Sequence, residues 1–576
     1  MAVEKIRYQA FFAIINLMKK IVIFITLLVL TFTIGKNLLP YGDRMFDFHD
    51  ESQAARVQQF VLNLKNLQIP PRIAPNMSFN LGYPVFNHYA PFSYWVTSFI
   101  NLIGFDIADS LKLSFLLAII LSFFFCFLFL REFFDFKSSI LAAVLYASSP
   151  WMAVEIFIRG NLGEVWFMAL LPIIFWVIYK NSQSQKPFIF ILTSLVLSFG
   201  LTVHNVLSVI LVPMVFIFIL LLPNVKKNLL SLFFGFLLSA YFLIPGVLEL
   251  SSTIASTRVD SLGYPDQLLC AWQLWTTPFW GYGGSSPGCI DGMSFMLGKP
   301  QILTGLIGFI GLIIYLIKNK SKESIIKKRL IIYMLIVTAG TTFMTTYYSY
   351  SISKLLSPYI GWIQFPWRLL PISLFGLSFI ASGIFIPKKF NKLSFFLIIL
   401  AIIVPFYNSK FFLKDTINKS KYNNNFLSKS YIEKAVAYKV SEYLPKSADY
   451  KTWLKYEPKK DSSELRDNTL LDGKFIHPLD KGQVIITKNN NFEKIAETTS
   501  KKILINIHYL PYWKIYINNA PYLPTLFDKL GRPIVELTKT VTIRVKYEQT
   551  PIEKFGNTIS VLTLVGLIIW TKLRRI

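Results

Sequence analysis

The segment DRMFDFHDESQAARVQQF, residues 43–60, places Asp43, Asp47, His49, Asp50 and Glu51 within nine residues, with Arg56 close behind. Carboxylates beside an imidazole suit general-base activation of a hydroxyl, and nearby cations suit stabilisation of a phosphate leaving group. His49, Asp50 and Glu51 could also meet a divalent cation such as Mg or Mn, although adjacent residues seldom ligate one ion well. The plain alternative is a solvated loop between two membrane helices. No Walker-type phosphate loop and no CxxC pair are seen, and the GxSxG nucleophile elbow is read as missing. Serine nucleophilic catalysis and a zinc site of CxxC type therefore find no support.

The elements that must position these residues are membrane helices. The chain has 576 residues, is 53% hydrophobic and contains 52 Phe, with a mean hydropathy of +0.48. Soluble domains are less apolar. The net charge is +27, but Lys and Arg mostly flank apolar runs, so membrane orientation explains many of them without nucleic acid. Lys5, Arg7, Lys19 and Lys20 precede the run IVIFITLLVLTFTIG with no A-x-A-like site after it, which predicts an uncleaved signal-anchor helix.

Apolar runs long enough to span a bilayer predict twelve transmembrane helices, centred near residues 30, 120, 146, 172, 195, 214, 238, 310, 338, 377, 401 and 564. The third is interrupted by Pro150. Residues 94–105 are too short to span and read as interfacial. The connections REFFDFK, KNSQSQK, NVKKN, KNKSKESIIKKR, PKKFNK and the tail KLRRI are basic. The alternate connections, 40–110, 155–164, 204–205, 249–300, 347–366 and 408–553, are longer or poorer in clustered Lys and Arg. The positive-inside rule then puts both termini in the cytoplasm and the acidic segment outside. Residues 408–553 carry no spanning run. ILINIHYL, WKIYINN and VTIRVKY alternate with the period of half-buried strands, which predicts a small extracytoplasmic β-rich domain. YIEKAVAYKVSEYLP reads as one amphipathic helix ended by Pro445.

This topology gathers Arg159, Glu164, His204 with Asn205, Arg258 with Asp260, Gln364 and Arg368 on the same face as the acidic segment. Ionisable groups at helix ends are costly against lipid, so a shared cavity is expected. Taken singly, Arg159 and Arg368 could snorkel to the interface, and His204 could be a satisfied interhelical hydrogen bonder. Cys270 and Cys289 share the 249–300 connection; on an oxidising side they either pair as a disulfide or stay free.

The motifs HDESQAARVQQF, IPPRIAPNMSFNLGYPVFNHYAPFSYW, RGNLGE, WGYGGSSPGCIDGMSF, QFPWRLL and YLPYWKIYINN resemble a prokaryotic multi-pass family often labelled 6-pyruvoyl-tetrahydropterin synthase-related. No pterin-enzyme signature accompanies them. The large first loop with an acidic residue just after helix one also resembles the GT-C superfamily of membrane glycosyltransferases, which use polyprenyl-phosphate-linked sugars. That resemblance implies a GT-C-like helical arrangement in a prokaryotic plasma membrane, with the site facing outward. It implies Asp50 as catalytic carboxylate, with Asp47 the rival. Substrate contacts are then expected of His49, Glu51, Arg56, Arg72, His88, Tyr89, Arg159, Glu164, His204, Arg258, Gln364 and Arg368 on the same outer face, with Arg suited to bidentate phosphate contact. Ile73 stands where Trp would be expected after Arg72, which weakens an aromatic sugar-stacking role there. The implied partners are a polyprenyl-phosphate-linked sugar, a glycan, lipid or protein acceptor, and membrane lipid. A transporter or flippase for a lipid-linked glycan, or a non-catalytic scaffold for envelope assembly, is the competing class.

Overall fold

The computed structural model describes all residues except 1, 257–263, 277–280, 287, 320, 322–324, 385–393, 436–440, 456–467 and 574–576. The chain divides into two compact units. The first holds residues 1–50, 109–232 and 261–417; the second holds 51–108, 233–260 and 418–576.

Among the described residues, seven helices are long and apolar enough to cross a membrane, or up to nine if each of two bent pairs forms one span. Six of the seven, Asn16–Thr33, Ile107–Leu130, Phe136–Arg159, Leu162–Gln183, Lys299–Lys318 and Phe395–Phe412, lie wholly or almost wholly in the first unit. Pro551–Leu573 belongs to the second. The twelve expected runs are thus redistributed. Those near 238 and 377 fall in the bent pairs, and those near 195 and 214 become the shorter helices Pro187–Leu201 and Asn205–Leu220. The run near 338 is the helix Ile325–Thr345, whose start carries Lys327, Lys328 and Arg329 and dilutes its hydropathy.

Pro150 does not end the third run. Ser149 caps a new turn by accepting from the Met152 amide at 3.3 Å, with Pro150 at the first helical position where its missing N–H costs nothing. Phe136–Arg159 therefore remains one 24-residue span, and its most apolar window is fully buried. Around it the first unit packs aromatic rings in edge-to-face and tilted pairs. Phe175 lies 4.7 Å from Phe218 and 5.6 Å from Phe375, and Phe129 lies 5.9 Å from Phe379.

The basic connections of this unit meet at one end. Lys180 pairs with Glu132 at 2.9 Å, Lys327 lies over the Phe134 ring, Lys227 donates to the Asn181 carbonyl, and Lys328 donates to that of Leu316. PKKFNK lies outside the described residues.

The second unit contains two antiparallel sheets. In one the order is Ala520–Tyr522, Trp513–Ile517, Val541–Tyr547, Glu493–Thr498, Val484–Asn489; in the other it is Leu526–Phe527, Pro533–Glu536, Lys502–Ile505, Ile476–Pro478. Val541, Ile543, Val545 and Tyr547 turn inward on alternate positions, as the period-2 pattern requires, and join Ile503, Ile505 and Val535 in one core. Residues 94–105 lie largely in the helix Phe92–Leu102, which with the residues just after it exposes Phe99, Leu102 and Ile103. Of the single amphipathic helix expected at 431–445, Tyr431–Ala435 is a π-helical turn, residues 436–440 lie outside the described set, and residues 441–445 are not helical.

Candidate active site

RGNLGE, residues 159–164, builds the site through four local devices. The turn Val154–Arg159 widens to π-helical geometry and ends at Gly160, whose φ of +66° is left-handed. A side chain there would be doubly excluded, because an added Cβ would lie 2.0 Å from Phe48 Cδ2. Asn161 then caps Leu162–Gln183 by accepting from the Glu164 amide at 3.0 Å. Gly163 permits close approach of the chain at 203–204, since a Cβ would lie 3.0 Å from the Val203 carbonyl oxygen.

The result is a buried ionic cluster centred on Glu164, which has no solvent exposure. Arg159 donates to both of its carboxylate oxygens, at 2.8 and 2.9 Å, and to Glu155 at 2.6 Å. Asn161 donates to Glu164 Oε1 at 3.0 Å, Arg368 Nε lies 3.4 Å from the same oxygen and His204 Nε2 lies 3.6 Å from it. Arg368 Nη1 also donates to Gln364 Oε1 at 2.6 Å and to the Ile363 carbonyl at 2.9 Å. Gln364 holds φ +68°, a strained value for a non-glycine residue, at the break between Tyr347–Ile363 and Pro366–Ala381, which are bent by 74°. His204 caps Asn205–Leu220 through Nδ1, which accepts from the Leu207 amide at 3.3 Å. That leaves Nε2–H to face Glu164 in the neutral ring. Neither arginine snorkels: the Arg159 and Arg368 side chains are 9% and 11% exposed. Two guanidiniums face two carboxylates, so the cluster is largely self-compensated.

Asp50 lies beside this cluster in the same unit. Its amide donates to the Arg159 carbonyl at 2.8 Å, and the His49 amide donates to that of Ile158 at 2.9 Å. The Asp50 carboxylate is 32% exposed, and His49 Nδ1 lies 3.1 Å from Oδ1. The His49 ring stacks on Tyr282. The charge of Asp50 acts on Arg159, His204 and Tyr282. Partial desolvation of the Tyr282 hydroxyl, on a side chain that is itself half exposed, and the charge of Asp50 push its phenol up to about 12. Asp47 is different: its side chain is 59% exposed, with Lys414 Nζ at 3.7 Å. Cys270 and Cys289 are joined in a disulfide with Cα atoms 5.7 Å apart.

The other expected contacts belong to the second unit. Glu51 begins it. Arg56 donates to the Tyr94 hydroxyl at 3.3 Å and lies 4.8 Å from the centre of the Tyr89 ring. Arg72 is 1% exposed and spends Nη1 on Asn87 and Nη2 on Asn557, with Glu553 at 4.0 Å. Asn87 in turn donates to Glu249 at 2.7 Å. His88 Nδ1 lies 3.1 Å from the Gly246 carbonyl, and burial holds its imidazole down to about 4. Arg258 and Asp260 lie outside the described residues.

Sequence reading overlooks Glu155, Asn161 and Tyr282. Glu155 could have been found: a carboxylate inside an apolar run, four residues before Arg159, is a helical ion pair. It also overlooks that Gly284 to Gly288 has GxSxG spacing. Ser285–Ser286 forms a short strand paired with Ile290–Asp291, so among the described residues no strand-to-helix nucleophile elbow results.

No family model matches the chain. A curated protein of Lactococcus lactis subsp. cremoris (strain MG1363), described as uncharacterized, is 28% identical over 258 residues, covering 41% of this chain and 40% of that protein. The chain thus spans well under two thirds of that relative's length. Among solved structures, mycobacterial arabinofuranosyltransferase AftD is similar over 70% of this chain and 27% of its own, at TM-score 0.43 and 14% identity. The apo oligosaccharyltransferase of Archaeoglobus fulgidus is similar over 71% and 60%, at TM-score 0.44 and 12% identity. The same enzyme with Zn and sulfate gives TM-score 0.38. The functional reading rests on the site geometry.

Proposed function

We propose that the chain is a membrane glycosyltransferase that moves a sugar from a polyprenyl-phosphate-linked donor to an acceptor on the outer face of a prokaryotic plasma membrane. The observation that carries this reading is Asp50: a partly exposed carboxylate, held by its backbone to the end of Val154–Arg159, beside His49 and Tyr282. In the proposed step the acceptor hydroxyl gives its proton to Asp50. Its oxygen then bonds to the anomeric carbon in line, the carbon–phosphate-oxygen bond breaks, and polyprenyl phosphate leaves with the electron pair, giving inversion. His49 orients Asp50. Arg368, and Arg258 by the sequence resemblance, are the proposed phosphate cations. The Glu164 cluster fixes the backbone from which Asp50 projects.

Among the described residues, no three of His, Cys, Asp and Glu converge as one metal-ligand set. A Mg or Mn ion would draw only on His49 and Asp50 here, and no step is routed through it.

A second reading, carriage of a lipid-linked glycan, gains from one feature. Arg368 and Gln364 sit at a bent helix break, the place where carriers bind anionic substrates. Release of polyprenyl phosphate from lipid-linked pentose or hexose by the purified chain supports transfer. Movement of the intact lipid-linked sugar across liposomes without such release would replace it with carriage.

A further inference from the structure

At the basic end of the first unit, a crevice of about 570 Å³ opens between Asn16–Thr33, the start of Phe136–Ala147, and Phe395–Asn408. Its lining has two chemical parts. Val22, Phe136, Ile384, Leu397 and Ile398 are apolar, and Lys19 and Lys137 bring ammonium groups. Lys137 Nζ lies 3.9 Å from the Phe395 ring centre and donates to Ser394 Oγ at 2.5 Å. Lys19 Nζ lies 6.0 Å from the Phe136 ring centre. Among the described residues neither ammonium is ion-paired to a carboxylate. The one acidic residue of the lining, Asp135, is committed to capping: Oδ1 accepts from the Lys137 and Ser138 amides at 2.8 and 3.2 Å, and Oδ2 accepts from Ser138 Oγ at 2.7 Å.

Two of the walls are poorly covered by protein. Only 11% of the Asn16–Thr33 window and 33% of the Phe395–Phe412 window are buried within the protein. In a bilayer, acyl chains would cover these faces. An apolar crevice at lipid-facing helices, with two cations at the lysine-rich end of the bundle, has the chemistry of an anionic lipid site. We propose that it holds the phosphate-bearing headgroup of an anionic phospholipid, with the ammonium groups of Lys19 and Lys137 on the phosphate and the acyl chains along Val22, Leu397 and Ile398. The bound lipid would tie the first helix to the rest of the unit. This inference is independent of the reaction proposed above.

The test is native mass spectrometry of the full chain, released from micelles doped with phosphatidylglycerol or with phosphatidylcholine. The expected result is at least fivefold greater retention of phosphatidylglycerol. Lys19→Gln with Lys137→Gln should reduce it to the phosphatidylcholine level, and the corresponding Arg pair should preserve it. If the double variant does not fold, Lys19→Gln alone should still cut retention severalfold. Equal retention of the two lipids, or undiminished phosphatidylglycerol in the Gln variants, overturns the proposal. Displacement of the lipid by millimolar inorganic phosphate would show a free-phosphate site and also overturn it.

Discussion

Glu164→Gln removes one charge from the centre of the buried cluster while keeping its shape. In the wild type, Glu164 faces Arg159 at 2.8 and 2.9 Å and Arg368 at 3.4 Å, with its own side chain fully buried. At an effective dielectric near 20, each contact of this kind is worth roughly 4 kcal/mol of gross attraction. The repulsion from Glu155 and the desolvation of Glu164 offset a large part of that sum. Removing one partner of a buried pair nevertheless costs about 3–5 kcal/mol, because the remaining charge stays buried and uncompensated. Only Glu155 would remain to balance two guanidiniums. Fluorescence-detected thermal unfolding in detergent should therefore show a strongly lowered midpoint for Glu164→Gln. Replacing Arg159 by Met and Glu164 by Leu together should not rescue the loss, because it leaves Glu155 buried without its Arg159 partner and Arg368 without Glu164. A Glu164→Gln protein within about 0.5 kcal/mol of wild type, the range of ordinary surface changes, would refute the view that this cluster is a compensated unit.

Gly160→Ala should destabilise by about 2 kcal/mol or more and disorder the 46–50 loop. It combines a left-handed φ with a Cβ 2.0 Å from Phe48; hydrogen exchange at residues 48–50 reads the effect. His508, in the second unit, is held by burial down to about 3 against an ordinary 6.5. The unfolded chain takes up a proton that the fold refuses, so its contribution to stability is intact above neutral pH and falls as pH drops from 6.5 toward 3. The loss is about 2 kcal/mol by roughly pH 5, and His508→Gln should flatten the melting-temperature profile over that range. Serine at both Cys270 and Cys289, which close a loop of 19 residues, should cost about 3 kcal/mol in the chain-entropy model; unchanged unfolding on reduction would contradict this.

Much of this architecture is legible in the sequence because hydropathy, charge bias and period-2 alternation are local signals. Val541 to Tyr547 reads as a strand and is one. The basic connections are read as one face, and those described within the first unit meet at one end. The helix count is less legible. Breaks at Ser239 and at Gln364 to Phe365 depend on how the pieces pack, and a hydropathy run passes over them. The site is legible as a set of residue types, but the pairing is not. That Arg159 answers Glu164 and Glu155 depends on a π-helical turn and a left-handed glycine, neither of which a residue pattern encodes. Arg56 and Arg72 look like Arg159 in sequence, yet they take their partners within the second unit.

The central claim is that Asp50 is the base of a glycosyl transfer, and the most direct measurement compares Asp50→Asn with Asp47→Asn. The assay follows a labelled sugar from polyprenyl phosphate to acceptor in liposomes, with protein level and folding matched. The account predicts a fall of about 10²–10⁴ in transfer for Asp50→Asn, the usual worth of general-base help, with donor binding retained. Asp47→Asn, 59% exposed beside Lys414, should change little. Full transfer by Asp50→Asn would remove the residue from the mechanism, and full transfer by both variants would return the acidic segment to a solvated loop.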